Sequence, residues 1–318
     1  MHSNSFKERL WPVTILLISV LLYQCSPRQL PDSHFAACYP NHPYDTVSYQ
    51  WNDPPDSLIK LLSKKYTNYG LMVANSADLL IPLCDYEHEK MRLQDDPSAL
   101  QRVKVLEKKE RIVNRISLFR AQVAGVAAEL DCEGERADQL STYLSKMEST
   151  QTKNLTVASI VSGAVGGVAA ALLSGNQSKD AAIAGGIGSA VLGLISLSSN
   201  KKITFKHPRN LLRDVWFIPL RSKNYPPMVW NMLSRTMFSN SGEFSVAYYA
   251  RKSWQSYWEL KPSDKKSAKK VKLLMSEGGS YSANELKLRA NMINQLQAAV
   301  KLIDEDVQGL LSEISSEK

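Results

Sequence analysis

The sequence predicts a mainly α protein: long heptad helices, a Gly/Ala-rich helical hairpin between them, and a small α+β segment rich in basic and aromatic residues. Three observations carry this. Apolar residues recur every seven positions at Ile116, Val123, Leu130, Ala137 and Leu144, and again at Leu286, Ile293, Val300, Val307 and Ile314. Small residues recur every four positions within 155–199. After the hairpin, β-branched and aromatic residues are interrupted by Pro208, Pro219, Pro226 and Pro227. A chain of 318 residues, 44% hydrophobic and 22% charged, holds enough apolar material for a core, which excludes wholesale disorder.

The first element concerns address. Lys7 and Arg9 precede an uncharged run of 13 residues, 11–23, which matches a signal-peptide core and is short for a membrane span. Residues 1–25 are therefore read as a signal peptide. Leu22-Tyr23-Gln24-Cys25 resembles the cleavage box of a lipoprotein, with Leu at −3, although Gln24 replaces the small residue expected at −1. Cys25 is the candidate lipid-attachment residue; an uncleaved anchor or another cleavage site are the alternatives. Residues 26–55, rich in Pro, Asp, Ser and His, read as a linker.

Residues 56–153 form the helical, coiled-coil region. Leu58, Leu62, Tyr66, Tyr69, Val73, Leu80 and Leu83 suggest helix over 56–91, kinked or ended at Pro82. The polar stretch 94–98 is a break, with Asp96 or Ser98 as a cap. Phe119, Val126, Glu133, Leu140 and Met147 complete the first seam as d positions, polar only at Glu133, with a bend expected near Gly134. Residues 154–200 are the hydrophobic hairpin: 155–175 and 181–199 hold no charged residue, and 176–180 separates them.

Residues 201–275 carry 16 Lys and Arg against 4 Asp and Glu, a local charge of +12 in a chain of net charge +8. Such a segment calls for an acidic partner. Short strand-like runs are expected at 203–205, 215–218 and 244–249, and a break at Gly278-Gly279-Ser280. Interleaved Trp and Tyr suit a membrane interface, so Lys201, Lys202, Lys206, Arg251, Lys252, Lys265, Lys266, Lys269 and Lys270 are candidate anionic-surface residues. Residues 280–318 form the last coiled-coil helix, whose d positions fail only at Arg289. Its seam could pair between copies or pack antiparallel on the first seam.

A search for chemistry returns little. Five histidines lie outside ligand spacings, four cysteines form no CxxC, and neither GxSxG nor a phosphate loop is present. Beyond Cys25 the odd count of Cys38, Cys84 and Cys132 leaves at least one thiol free or paired to another chain, and an exported setting permits one disulfide. Gly185-Gly186-Ile187-Gly188 lacks the preceding strand and following acid of a dinucleotide site. No catalytic, cofactor-binding or metal-ligating residue, no cofactor and no nucleic-acid partner are expected.

Within the hairpin, Ser159, Gly163, Gly167, Ala171 and Gly175 form one row; Ala181, Gly185, Ser189 and Gly193 form another. Rows of small residues let helix backbones approach closely. The hairpin resembles the glycine-zipper hairpin of bacterial outer-membrane lipoproteins over 155–199, about a seventh of the chain. The resemblance implies membrane association, usually behind a lipidated Cys, with Gly163, Gly167, Ala171, Gly175, Gly185, Ser189 and Gly193 as packing residues. Arms of about 20 residues, roughly 30 Å, would match a bilayer core, so transmembrane helices are expected.

The expected function is a non-enzymatic structural or assembly component of the bacterial cell envelope, in the outer membrane or periplasm. Its partners would be membrane lipid, and other copies or envelope proteins through the heptad helices. The alternatives are a membrane-inserting effector or pore-former, and a soluble periplasmic binding protein with a buried hairpin.

Overall fold

Two heptad stripes meet along the length of the last described helix. The computed structural model describes residues 38–39, 56–172, 201–261 and 263–316, and of 155–172 only the helical backbone. Cys25 and four of the zipper residues, Gly175, Gly185, Ser189 and Gly193, lie outside the described residues. All described elements belong to one unit, Cys38–Lys318. The architecture is mainly α with one two-stranded sheet, as the sequence predicts.

Three short helices open the described chain: α1 (Asp56–Leu62), α2 (Asn68–Ser76) and α3 (Leu80–Asp95). The single helix expected over 56–91 is thus broken twice. Thr67 caps α2 by accepting the Gly70 amide at 3.0 Å, and Asp78 takes a left-handed backbone at φ 56°. Pro82 breaks nothing, because it sits in the first turn of α3, where an amide proton has no intrahelical acceptor to lose. The break at 94–98 is observed, with the Ser98 hydroxyl accepting the Gln101 amide at 3.3 Å.

Helix α4 (Ala99–Leu172) spans 74 residues, about 110 Å at 1.5 Å per residue. It runs unbroken across the composition change near 154. Its partner is α9 (Ala283–Ser315), opened by a capping box between Ser282 and Glu285. Ionic and polar pairs fix an antiparallel register. Ser141 Oγ donates to the Ala283 carbonyl at 2.8 Å, Lys287 meets Asp138 at 2.5 Å, Gln297 donates to Asp131 at 2.8 Å, and Arg120 meets Asp304 at 2.7 Å. Along α9 the numbers rise while along α4 they fall. The seam residues Ile116, Phe119, Val123, Val126 and Leu130 are buried, as are Ile293, Leu296, Val300, Ile303 and Val307. Of the two readings of the last heptad helix, the intramolecular one is the observed packing.

Gly134 produces no break in α4. A side chain there would meet Asn294 Oδ1 at 2.7 Å and Ile293 Cγ2 at 3.2 Å, so glycine permits the close approach of α9. Helix α3 and the turn before it also pack antiparallel to α4, through Gln101–Glu89 at 2.7 Å, Lys108–Asp85 at 2.7 Å and Arg115–Asp78 at 3.0 Å.

The basic segment begins with β1 (Lys202–Lys206), which pairs antiparallel with β2 (Gly278–Ser282) in the register Lys202↔Ser282, Lys206↔Gly278. The strand expected at 203–205 is present, but Gly278-Gly279-Ser280 is strand and no break. The runs at 215–218 and 244–249 are mostly helical: α5 (Leu211–Phe217), α6 (Pro227–Ser234), α7 (Val246–Tyr257) and α8 (Lys265–Leu274). Tertiary packing overrides their β propensity. Trp216, Trp230 and Trp254 are buried as core, which removes them from the interface role.

The transmembrane helices expected of the sequence are not found: among the described residues no helix is long and apolar enough to cross a membrane. Up to residue 154, and from 201 onward, the described helices carry charged residues through nearly every turn and pack their apolar stripes on each other; the uncharged arms expected at 155–175 and 181–199 lie outside the residues whose side chains are described.

Candidate functional site

Two arrangements concentrate polar chemistry. The first is internal. Arg289, the residue that fails the heptad pattern, is 1% exposed. Its guanidinium donates to the Leu274 carbonyl at 3.1 Å and to Asn210 Oδ1 at 3.3 Å. Asn210 in turn donates to the carbonyls of Leu274 and Ser276 at 2.8 and 2.7 Å. Glu133, the polar d residue of α4, meets Arg136 at 3.0 Å. Burial raises its carboxyl above the ordinary value, and Arg136 and Arg289 pull it partly back. Arg136 also donates to the Lys206 carbonyl at 2.5 Å and lies 4.4 Å from the Phe205 ring, which docks β1 on α4.

Next to it, Tyr281 Oη donates to the Leu273 carbonyl at 2.8 Å, and His207 Nε2 lies 2.8 Å from the same hydroxyl. One phenol has one proton, so His207 Nε2–H must be the donor to it, which fixes the neutral tautomer. Burial, and then the Arg289 charge, depress His207 to about 2. Burial pushes Tyr281 up to about 12. His207, Tyr281 and Arg289 are all buried. Such a set presents nothing to a substrate. It joins α4, the two strands, α8 and α9 in one geometry, since a shift of any of them strands a buried charge.

The second arrangement faces outward, around the end of α5. Ile218 ends that helix with φ 48°, a left-handed conformation rare for a β-branched residue. The turn that follows is held from below. The buried Asp214 carboxylate accepts from the Ser222 hydroxyl and from Asn224 Nδ2. Ser222 Oγ accepts the amides of Asn224 and Tyr225 at 3.0 and 2.8 Å. Trp230 Nε1 donates to the Pro219 carbonyl at 3.0 Å, and Tyr225 Oη to the Leu211 carbonyl at 3.1 Å. Above this base Leu220 is 81% and Phe217 59% exposed. Arg213 lies 5.7 Å from the Phe217 ring, and Arg251 of α7 donates to the Trp216 carbonyl at 3.1 Å.

The sequence-derived basic residues are distributed between this surface and another. Arg251 and Lys252 lie 5.2 and 5.6 Å from the Tyr248 ring, beside the stacked Phe244 at 4.3 Å. Lys202 and Lys206 are exposed on β1, and the Lys201 amide donates to Glu148 at 3.0 Å. Lys265, Lys266 and Lys269 are exposed on α8, with Lys270 half-buried. Gly163, Gly167 and Ala171 lie on the backbone of α4. Sequence reasoning missed Phe217, Leu220 and Arg213; the Phe-Ile-Pro-Leu run was legible only as a strand end.

A disulfide joins Cys38 to Cys132 on α4, with Cα atoms 5.5 Å apart, and leaves Cys84 free and half-buried. Among the described residues no cluster of His, Cys, Asp and Glu could hold a metal ion. No family model, no characterised protein and no solved structure matches this chain.

Proposed function

We propose that this chain is an exported, non-enzymatic structural or assembly component of the cell envelope, tethered at Cys25. The observation that carries the proposal is the Cys38–Cys132 disulfide, which pins the segment behind the leader to the longest helix. Such bonds persist in oxidising compartments, where an exported chain would reside. The leader-like 1–25 and the Cys25 context agree with it. The buried network built around Arg289 fits a scaffold, because its groups stabilise a junction and face no substrate. Contacts with other copies or other envelope proteins would use outer faces, since both heptad seams are spent on each other.

Mass spectrometry of the protein from cells tests the tether. The expected result is an N-terminus at Cys25 carrying acyl chains, with Cys38 and Cys132 recovered in one disulfide-linked peptide. One chain would hold the membrane only reversibly, so more than one is expected. An unmodified N-terminus at another residue, or free thiols at both positions, sinks the reading.

A further inference from the structure

The turn after α5 puts its most apolar side chains outside, on a base held by hydrogen bonds. Leu220 and Phe217 stand at 81% and 59% exposure, while Asp214, Ser222, Tyr225 and Trp230 hold the backbone beneath them by hydrogen bonds. A loop shaped by solvent alone would turn such residues inward. The exposed charge on the turn itself has one sign. Arg213, Arg221 and Lys223 are exposed on the same stretch, and its one acid, Asp214, is buried and faces the loop's own hydrogen-bond donors. Arg251, hydrogen-bonded to the Trp216 carbonyl, carries positive charge on to the Tyr248 ring, next to the exposed Phe244 and Tyr249, where Glu243 is the one exposed acid. Exposed apolar tips flanked by arginines, with no exposed acid on the turn, complement a bilayer of anionic phospholipid. The tips enter the acyl boundary, aromatics rest at headgroup depth, and the arginines pair with phosphates.

We infer that the 217–223 turn is a wedge by which the folded protein docks on an anionic phospholipid surface. The inference rests on the envelope reading above, because it needs a bilayer beside the protein. It also shifts the lipid contact from the lysine-rich β1 and α8 surface to a site that composition alone does not mark.

The test uses the full chain reconstituted on vesicles of phosphatidylcholine, with and without phosphatidylglycerol. Hydrogen exchange of the peptide spanning 213–223 is read by mass spectrometry. The expected result is exchange slowed several-fold on the anionic vesicles alone, relieved by added salt. Leu220→Asp should abolish the slowing. Arg213→Glu with Arg221→Glu should weaken it roughly tenfold or more, in line with the attraction of a basic residue to an anionic leaflet. These side chains are exposed, so the variants fold, which circular dichroism verifies. Vesicle attachment with no slowing at 213–223 overturns the wedge and leaves the envelope reading standing. Equal slowing on both compositions overturns the anionic partner. Slowing on neither leaves the turn to a protein partner and also overturns the proposal. Failure to attach to either vesicle overturns both readings.

Discussion

His207 is held neutral in the folded protein, with consequences for acid stability. In an unfolded chain the ring titrates near 6.5, whereas burial and Arg289 hold the folded ring at about 2. Between those values the unfolded chain binds a proton that the folded chain refuses. Stability therefore rises with pH across this window and is lost as pH falls below 6.5. One proton gives about 1.4 kcal/mol per pH unit at full slope. His207→Gln keeps a donor for Tyr281 and cannot be protonated. From pH 6.5 to 5, the wild type should lose about 1.5 kcal/mol more than this variant in urea melts; parallel losses would refute the assignment. Arg289 gives a second measurement. Arg289→Met leaves Asn210 Oδ1 without its donor and Glu133 with one fewer cation, at a cost of about 3 kcal/mol. A change below about 1 kcal/mol would mean that the network is replaceable by packing.

At the scale of elements, the α4–α9 contact rests on one glycine that matters and holds one that does not. Gly134→Leu pushes a side chain against Asn294 and Ile293 and should destabilise by about 1–3 kcal/mol. Gly309 has open space around it, so Gly309→Ala should stabilise the helix by up to about 1 kcal/mol. Thermal melts of the pair read both signs at once. The seams were legible because a seven-residue period survives in sequence whatever helix it meets. Ile116 to Leu144 and Leu286 to Ile314 are buried in that order. Their partner was not legible, because a heptad stripe carries no address; only pairs such as Arg120–Asp304 decide register, and they lie far apart in sequence. The helices α5 and α7 were hidden for a different reason. Their Val, Trp, Phe and Tyr residues favour strands locally, and burial of Val215, Trp216, Ala247 and Trp254 in a helical core reverses the preference. The outward wedge was hidden because exposure is a tertiary property.

For the whole molecule, the disulfide closes a separation of 94 residues. Constraining so long a loop in the unfolded chain stabilises the fold by about 2–4 kcal/mol. Replacing Cys38 and Cys132 by Ala should lower the unfolding midpoint accordingly, and adding reductant to the wild type should reproduce the shift while leaving the variant unmoved. A reductant-sensitive variant would place the effect on Cys84 instead.

The position of α9 far behind α4 in the chain also sets the order of events at birth. A ribosome delivers α4 first, with Ile116, Phe119, Val123 and Leu130 uncovered, and its cover arrives more than a hundred residues later. Thr67 at the other end waits still longer, since the Glu313 carboxylate that receives its amide and hydroxyl lies within the last turns of α9. The nascent chain thus lacks the cover of its longest described helix until α9 has been made. While the long apolar stripe of α4 is uncovered it is exposed to aggregation. Ribosome-stalled chains ending before Ala283 should be degraded by protease throughout 99–148, and chains carrying α9 beyond the exit tunnel should not.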